Sequence, residues 1–458
     1  MAVSDVAVIM VPFPAQGHLN QLLHLSRLLS AYNLPIHVIT TTTHHRQAQT
    51  RIPLPPTIHF HHHPTPPFPS PPPDPTAASK FPTHLIPSFQ SAMHLRQPFT
   101  ELLSTLSRTA KRVVVIHDYL MGPVVQDVGL MLYNNVEAYM FSCCSAFGAF
   151  WYHHEATGRP SLDGEPELAA VRKELPSNED CYSMDGWRFV ASTDVGCEKF
   201  SSGTICDTSR VVEGKYVDLI EEQGGKKLWA LGPFNPVEIM AHEFGNQRHE
   251  LFDWLDKQAP NSVLYVSFGT TTSISNEQIQ EIALGLEKSE QKFIWVLRDA
   301  DKGDIFDNEV RKLELPEGFE ERVGENGLVV MDWVPQLEIL GHSSTGGFMS
   351  HCGWNSSMES MTMGVPVAAW PMHSDQPRNA MLITKVLNVG MYVRDWTQRK
   401  ELVSSTVVKE VVTRLMGSKE GEEMQRRAAE LGDRVRRSMM DGGVTRIELD
   451  AFVSHVSR

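Results

Sequence analysis

The chain has 458 residues, 41% hydrophobic and 21% charged, with a formal net charge of −14. That length exceeds one ordinary hydrophobic core and points to two domains. The acidic balance argues against a nucleic-acid partner, whose phosphates it would repel. No apolar run is long enough to span a bilayer. Six cysteines without a C-x-x-C pair make no disulfide framework in a chain of this size, which fits the reducing cytosol.

The N-terminus, MAVSDVAVIMVPFP, lacks a basic lead-in and carries Asp5 ahead of its apolar run. It therefore reads as a strand over Val6–Val11 rather than a signal peptide, and a cytoplasmic protein is expected. A helix is predicted to start near His18 or Asn20, with Leu22, Leu25, Leu28 and Leu29 at helical spacing. IHVITTT (36–42) is the next strand, which makes the opening a βαβ unit. RVVVIHD (112–118) is a further buried strand ending in Asp118.

Residues 53 to 75 differ in kind. Eleven of the 29 prolines fall there, together with His59 and His61 to His63. Proline removes donors and fixes φ, so a solvated, extended loop is expected. The P-x-x-P pattern at Pro64–Pro67 and the histidine cluster are weaker signals for a peptide ligand or a metal site.

WALGPFNPVEIM (229–240) reads as a linker, after which the alternation restarts. VLYVSF (263–268), FIWVLR (293–298) and GLVVMDWV (327–334) are predicted strands. A helix lies between the first two, with Ile279, Ile282, Ala283 and Leu286 on one face. The restart predicts an α/β protein of two Rossmann-like domains facing across a cleft. The division expected is 1–235 and 236–442. A terminal amphipathic helix, about 443–458, carries Leu449, Phe452, Val453 and Val456 on one side and is expected to pack back on the first domain.

The chemistry concentrates in residues 333 to 376, WVPQLEILGHSSTGGFMSHCGWNSSMESMTMGVPVAAWPMHSDQ. Gly346-Gly347 lead into a short strand, FMSH, and Gly353 supplies a turn. Ser356 and Glu359 stand at capping-box spacing for a helix that Gly364 and Pro366 stop. VPVAAW is the strand after it. A helix N-terminus behind a glycine turn presents free N–H groups and its positive dipole end, which suits a pyrophosphate. Plain helix capping would explain the same spacing. The sequon Asn355-Ser356-Ser357 is expected to be buried and unglycosylated.

This span resembles the signature box of the plant family 1 UDP-sugar glycosyltransferases: W-x-P-Q, HCGWNS, the glutamate, G-V-P, W-P and the closing D-Q all stand in place. The resemblance implies a GT-B fold and a role at each matching position. Trp333 would stack on uracil, with the backbone at Val334 and the side chain of Gln336 on its polar edge. Glu359 would accept the ribose hydroxyls. Thr270, His351, Asn355 and Ser356 would hold the phosphates. Trp354, Asp375 and Gln376 would meet the sugar. Trp370 and Met372 read as core.

The same resemblance makes PFPAQGHLNQ (12–21) the element that carries the general base, His18, paired with Asp118. Alone, His18 would read as a residue at a helix start and Asp118 as a strand-end turn. Together they suit proton removal from an alcohol, since histidine titrates near neutrality and a carboxylate on its far nitrogen fixes the tautomer. His117 reads as a strand residue. Asp299-Ala300-Asp301 is a D-x-D match of the kind that holds Mn²⁺ in glycosyltransferases of another fold, but a solvated loop is the expectation. No metal and no other cofactor is expected, the UDP-sugar being a co-substrate.

Many members have proline after G-H-x-N, where this chain has Gln21. That variant, with VIHDYLMGPVVQDV, NVEAYMFS and HSSTGGFMSHCGWNSS, is similar to the zeatin O-glycosyltransferases of plants. The resemblance implies UDP-glucose or UDP-xylose as donor and a small hydroxylated acceptor such as zeatin; a monomer is expected. A flavonoid or phenolic acceptor, or a sugar-nucleotide-binding protein without activity, are the alternatives.

Overall fold

A computed structural model describes residues 4–51, 55–130, 133–162, 164–239, 250–306, 311 and 313–458. Pro53, Leu54 and Met240, at the edges of two sequence segments singled out above, lie outside the described residues.

Two parallel sheets organise the chain. The first contains β1 (Ser4–Val11), β2 (Ile36–Thr41), β3 (Ile58–His63), β4 (Ala110–Asp118), β5 (Val136–Ser142), β6 (Ser201–Cys206) and β7 (Lys227–Ala230), in the order β3-β2-β1-β4-β5-β6-β7. The second contains β8 (Val263–Ser267), β9 (Lys292–Val296), β10 (Gly327–Val330), β11 (Thr345–Ser350), β12 (Val367–Ala369) and β13 (Gly390–Tyr392), in the order β10-β9-β8-β11-β12-β13. Each is a doubly wound sheet whose strand order reverses once. Ligands of such sheets bind at that reversal, beyond the carboxyl ends of the strands.

The apolar runs explain the layers. Both faces of β1 are covered, Val6, Val8 and Met10 in one cluster and Ala7, Ile9 and Val11 in the other. The Gln16–Ser30 helix buries Leu19, Leu22, Leu23, Leu25 and Leu29 against the first of these. It starts at Gln16, slightly earlier than its leucine spacing suggests. The Val444–Val456 helix sets Leu449, Phe452 and Val456 into the same cluster, so the chain's end closes on its beginning. Each such side chain contributes about 1.5–3 kcal/mol when fully buried.

Four sequence expectations change. The proline-rich stretch is not all loop: its histidines form β3, an edge strand pairing with β2. Its continuation is not simply solvated either, because the Ser70 hydroxyl accepts the Asp304 N–H at 3.2 Å from the second half of the chain. The linker's first residues, Trp229 and Ala230, belong to β7. Finally, β10 stops at Val330, and the exposed Met331–Trp333 segment turns out of the sheet toward the cleft rim.

Candidate active site

The two reversal points face one another across a single cleft. In the first sheet, β1 and β4 pair with Val11 opposite His117. The loop after β1 and the last residue of β4 are therefore neighbours, although 100 positions separate His18 from Asp118. His18 Nδ1 lies 2.7 Å from Asp118 Oδ2. Asp118 is fully buried, and its other oxygen accepts the Leu120 N–H at 2.9 Å, which fixes the carboxylate. His18 is 19% exposed, open to the cleft. Its Nε2 stands 3.3 Å from Cys143 Sγ, just past β5. Sequence reasoning missed Cys143; its position just past a strand carboxyl end was the available signal. A hydrogen bond with Cys144, together with burial, pushes its thiol well up, so it stays protonated at neutral pH. His117 is buried and pushed down by that burial, as a strand residue should be.

An aromatic wall stands beside His18. The Phe13 ring lies 5.0 Å from the His18 ring, 4.6 Å from Phe89 and 5.9 Å from Phe189. The imidazole thus stands beside a set of mutually tilted aromatic rings that present an apolar surface to the cleft.

In the second sheet, Ser267 of β8 pairs with Ser350 of β11. Thr270, three residues past β8, and His351, one residue past β11, therefore line the same end of the cleft. The His351 ring fits between two glycines. A Cβ on Gly269, whose φ is +75°, would come within 2.6 Å of that ring, and one on Gly353 within 2.5 Å. Burial holds His351 down to about 4, so the imidazole is neutral at pH 7. It can offer phosphate a hydrogen bond, while the positive potential comes from the helix end behind it.

That helix spans Trp354–Met363, with Gly353 as its N-cap and no side-chain cap. The capping box expected at Ser356 and Glu359 is therefore absent. The helix begins three residues earlier than the box requires, which leaves its first N–H groups without a side-chain cap and turns both side chains to another partner. Gln336 Nε2 donates to Ser356 Oγ at 2.9 Å and to Glu359 Oε2 at 2.6 Å, and Gln336 Oε1 accepts from the Tyr265 hydroxyl at 3.3 Å. Burial pushes Glu359 up to about 7, with the Gln336 hydrogen bond opposing. Trp333, 40% exposed at the rim, is no core residue, whereas Val334, Trp370 and Met372 are buried.

Other candidates bind within the protein. Trp354 is buried and its Nε1 donates to the Asp207 backbone oxygen at 2.8 Å, which joins the two halves. Gln376 Oε1 accepts from the N–H groups of Met372 (2.9 Å) and His373 (3.0 Å), holding the loop that precedes it. Asp375 lines the cleft and accepts from Asn379 at 2.8 Å; burial pushes its carboxyl up. Asn355 is half-buried, and its amide reaches the opposite domain: Nδ2 donates to the Gly17 oxygen at 3.0 Å, and Oδ1 accepts from Gln21 Nε2.

The D-x-D pair is not a solvated loop. Asp299 accepts from Ser273 and lies 3.7 Å from an Arg311 nitrogen, while Asp301 accepts from Arg298 at 2.8 Å. Both carboxylates are largely covered. Each faces a guanidinium group, Arg311 beside Asp299 and Arg298 beside Asp301.

Residues 4–236 match the family described as "Glycosyltransferase, N-terminal domain", and residues 238–416 match "UDP-glucoronosyl and UDP-glucosyl transferase". The zeatin O-glucosyltransferase of Phaseolus lunatus is 55% identical over 99% of this chain and 98% of its own length. The zeatin O-xylosyltransferase of Phaseolus vulgaris is 53% identical over the whole of both chains. Among solved structures, a UGT transferase from Siraitia grosvenorii in complex with UDP gives a TM-score of 0.77 at 26% identity, covering 99% of this chain and 100% of the other. Two facing Rossmann-like halves, each matched by a family model, and relatives aligned over at least 98% of both chains identify the chain as a member of the plant family 1 UDP-glycosyltransferases, with the GT-B fold.

Proposed function

We propose that this UDP-glycosyltransferase transfers glucose or xylose from a UDP-sugar to the side-chain hydroxyl of zeatin, giving a β-O-glycoside with inversion. The observation that carries the reading is the His18–Asp118 pair, 2.7 Å apart, facing the signature box across one cleft. Identity above 50% to two enzymes named for zeatin supports the acceptor. The donor half would be 236–442 and the acceptor half 1–235 with the terminal helix.

In this mechanism Asp118 accepts a hydrogen bond from His18 Nδ1–H, which holds the tautomer whose lone pair is on Nε2. The acceptor hydroxyl occupies the space beside Nε2 that Cys143 now borders. Its oxygen attacks the anomeric carbon as the proton passes to Nε2. The bond from that carbon to the phosphate oxygen breaks, and UDP leaves with the electron pair. The N-terminus of the Trp354–Met363 helix and a hydrogen bond from neutral His351 stabilise the departing charge. Trp333 would face uracil, and Glu359 would accept the ribose hydroxyls. Asp375 would meet the sugar, which Gln376 assists by shaping the preceding loop. No metal enters these steps.

Incubation with labelled UDP-glucose or UDP-xylose and cis- or trans-zeatin tests the proposal. Labelled zeatin glycoside is the expected product. Efficient labelling of flavonols or simple phenols with zeatin untouched would replace zeatin as the acceptor.

A further inference from the structure

The Cys143 thiol has no step in the reaction above, yet it stands against the base. Its Sγ lies 3.3 Å from His18 Nε2, while His18 Nδ1 lies 2.7 Å from Asp118 Oδ2. Among the described residues, these are the only three histidine, cysteine or acidic side chains with ligand atoms all within 4.8 Å of one another. Neighbouring strands fix two of them. Asp118 ends β4 opposite Phe141 of β5, and Cys143 follows two residues after Phe141. His18 and Cys143 both line the cleft, His18 19% and Cys143 9% exposed, so an ion can reach them from solvent.

We propose that His18 Nε2 and Cys143 Sγ form an inhibitory binding site for a thiophilic divalent cation of the zinc type, with Asp118 holding the imidazole from behind. Imidazole nitrogen and thiolate sulfur both suit zinc. Zn–N bonds of about 2.0–2.1 Å and Zn–S bonds of about 2.3 Å set tetrahedral nitrogen and sulfur ligands about 3.6 Å apart, a little wider than the present separation. Asp118 stands where a carboxylate commonly supports a zinc-bound histidine: it keeps the hydrogen on Nδ1 and the lone pair on Nε2. The thiol gives its proton to water as the Zn–S bond forms. The hydrogen bond with Cys144 and burial oppose a lone thiolate here, and the cation supplies the compensating charge. The Asp375 carboxyl, which interacts electrostatically with both ligands, adds negative potential. Water would complete the shell. A cation so bound takes the lone pair that would receive the acceptor's proton, and it leaves the UDP-sugar in place. This inhibition rests on His18 being the base; binding of the cation does not.

The test is calorimetric titration of Zn²⁺ into the chelator-stripped, thiol-free full chain, repeated with Co²⁺ and read by absorption. One equivalent of Zn²⁺ should bind the wild type. Affinity should fall at least about tenfold in His18→Ala, Cys143→Ala and Asp118→Asn, and stay unchanged in His61→Gln, which alters an imidazole elsewhere in the chain. Co²⁺ should give a thiolate charge-transfer band that Cys143→Ala abolishes. UDP affinity in each variant reports that it is folded. Turnover of the wild type should fall as Zn²⁺ fills the site, and Cys143→Ala, measured against its own metal-free rate, should need at least about tenfold more Zn²⁺. No binding to the wild type, equal affinity in Cys143→Ala, or loss confined to His61→Gln overturns the proposal. Zn²⁺ bound through Cys143 with undiminished turnover would uphold the binding site, and would overturn both its inhibitory role and His18 as the base.

Discussion

Asn355 Nδ2 donates to the backbone oxygen of Gly17 at 3.0 Å, joining the first turn of the donor-side helix to the residue that precedes His18. Gln21, four residues further along the His18 helix and 2% exposed, donates to the other end of the same amide. A single carboxamide thus ties the turn that carries the base to the helix end proposed to hold phosphate. In this light Gln21 links the two domains through Asn355.

Gln21→Leu, which loses one part-buried hydrogen bond, should therefore lower kcat/KM by about tenfold, and Asn355→Ala, which loses both bonds of the bridge, by at least as much. The double variant should be little worse than the poorer single one, because both act on one bridge. Steady-state kinetics on the three variants check this; additive losses would assign the residues separate roles.

The pH dependence of nucleotide binding tests Glu359. Its carboxyl is held up to about 7, so the free protein carries it partly protonated at neutral pH. Ionised, the carboxylate can accept from both ribose hydroxyls; protonated, one of its oxygens becomes a donor. UDP affinity should accordingly rise as pH climbs toward and past 7, then level off. The linked stability term has the opposite sign: a raised carboxyl favours folding at low pH and loses that contribution as pH rises from about 4.5 through about 7. Calorimetric titration of UDP across this range should show the rise in wild type and a flatter profile in Glu359→Gln.

The glycines beside His351 define a third outcome. Gly269→Ala meets both a φ of +75° and a Cβ contact 2.6 Å from the imidazole. Either the loop or the ring must move. UDP should bind at least about tenfold more weakly, while the thermal midpoint drops by only a few degrees because the site lies at a loop. Equal UDP affinity in wild type and variant would free His351 from the donor site.

Chelation tests the role given to the acidic pair. Asp299 and Asp301 are matched to Arg311 and Arg298. Transfer should thus survive excess EDTA, with no gain from added Mn²⁺. Loss of turnover on chelation, restored by Mn²⁺, would require a metal in the reaction.

Much of the fold was legible because buried parallel strands are written as continuous apolar runs, as Val6–Val11 and Val263–Phe268 are. The box was legible because its polar residues fall within one segment, and His18 because G-H-x-N follows a strand. What escaped was set by register and long-range packing. Cys143 meets His18 only because β5 lies beside β4. The helix start at Trp354 depends on the conformation of Gly353, and Ser356 and Glu359 answer to Gln336 from elsewhere in the box. The β3 histidines look like loop residues until their pairing with β2 supplies the missing hydrogen-bond partners.

The most direct measurement compares wild type with His18→Ala for two quantities, UDP affinity and zeatin glycoside formation from UDP-glucose. His18 touches no group assigned to the donor, so UDP affinity should stay within about threefold while turnover falls by roughly two to four orders of magnitude. Turnover equal to the wild type in His18→Ala, with UDP still bound, would contradict the assignment of His18 as the base.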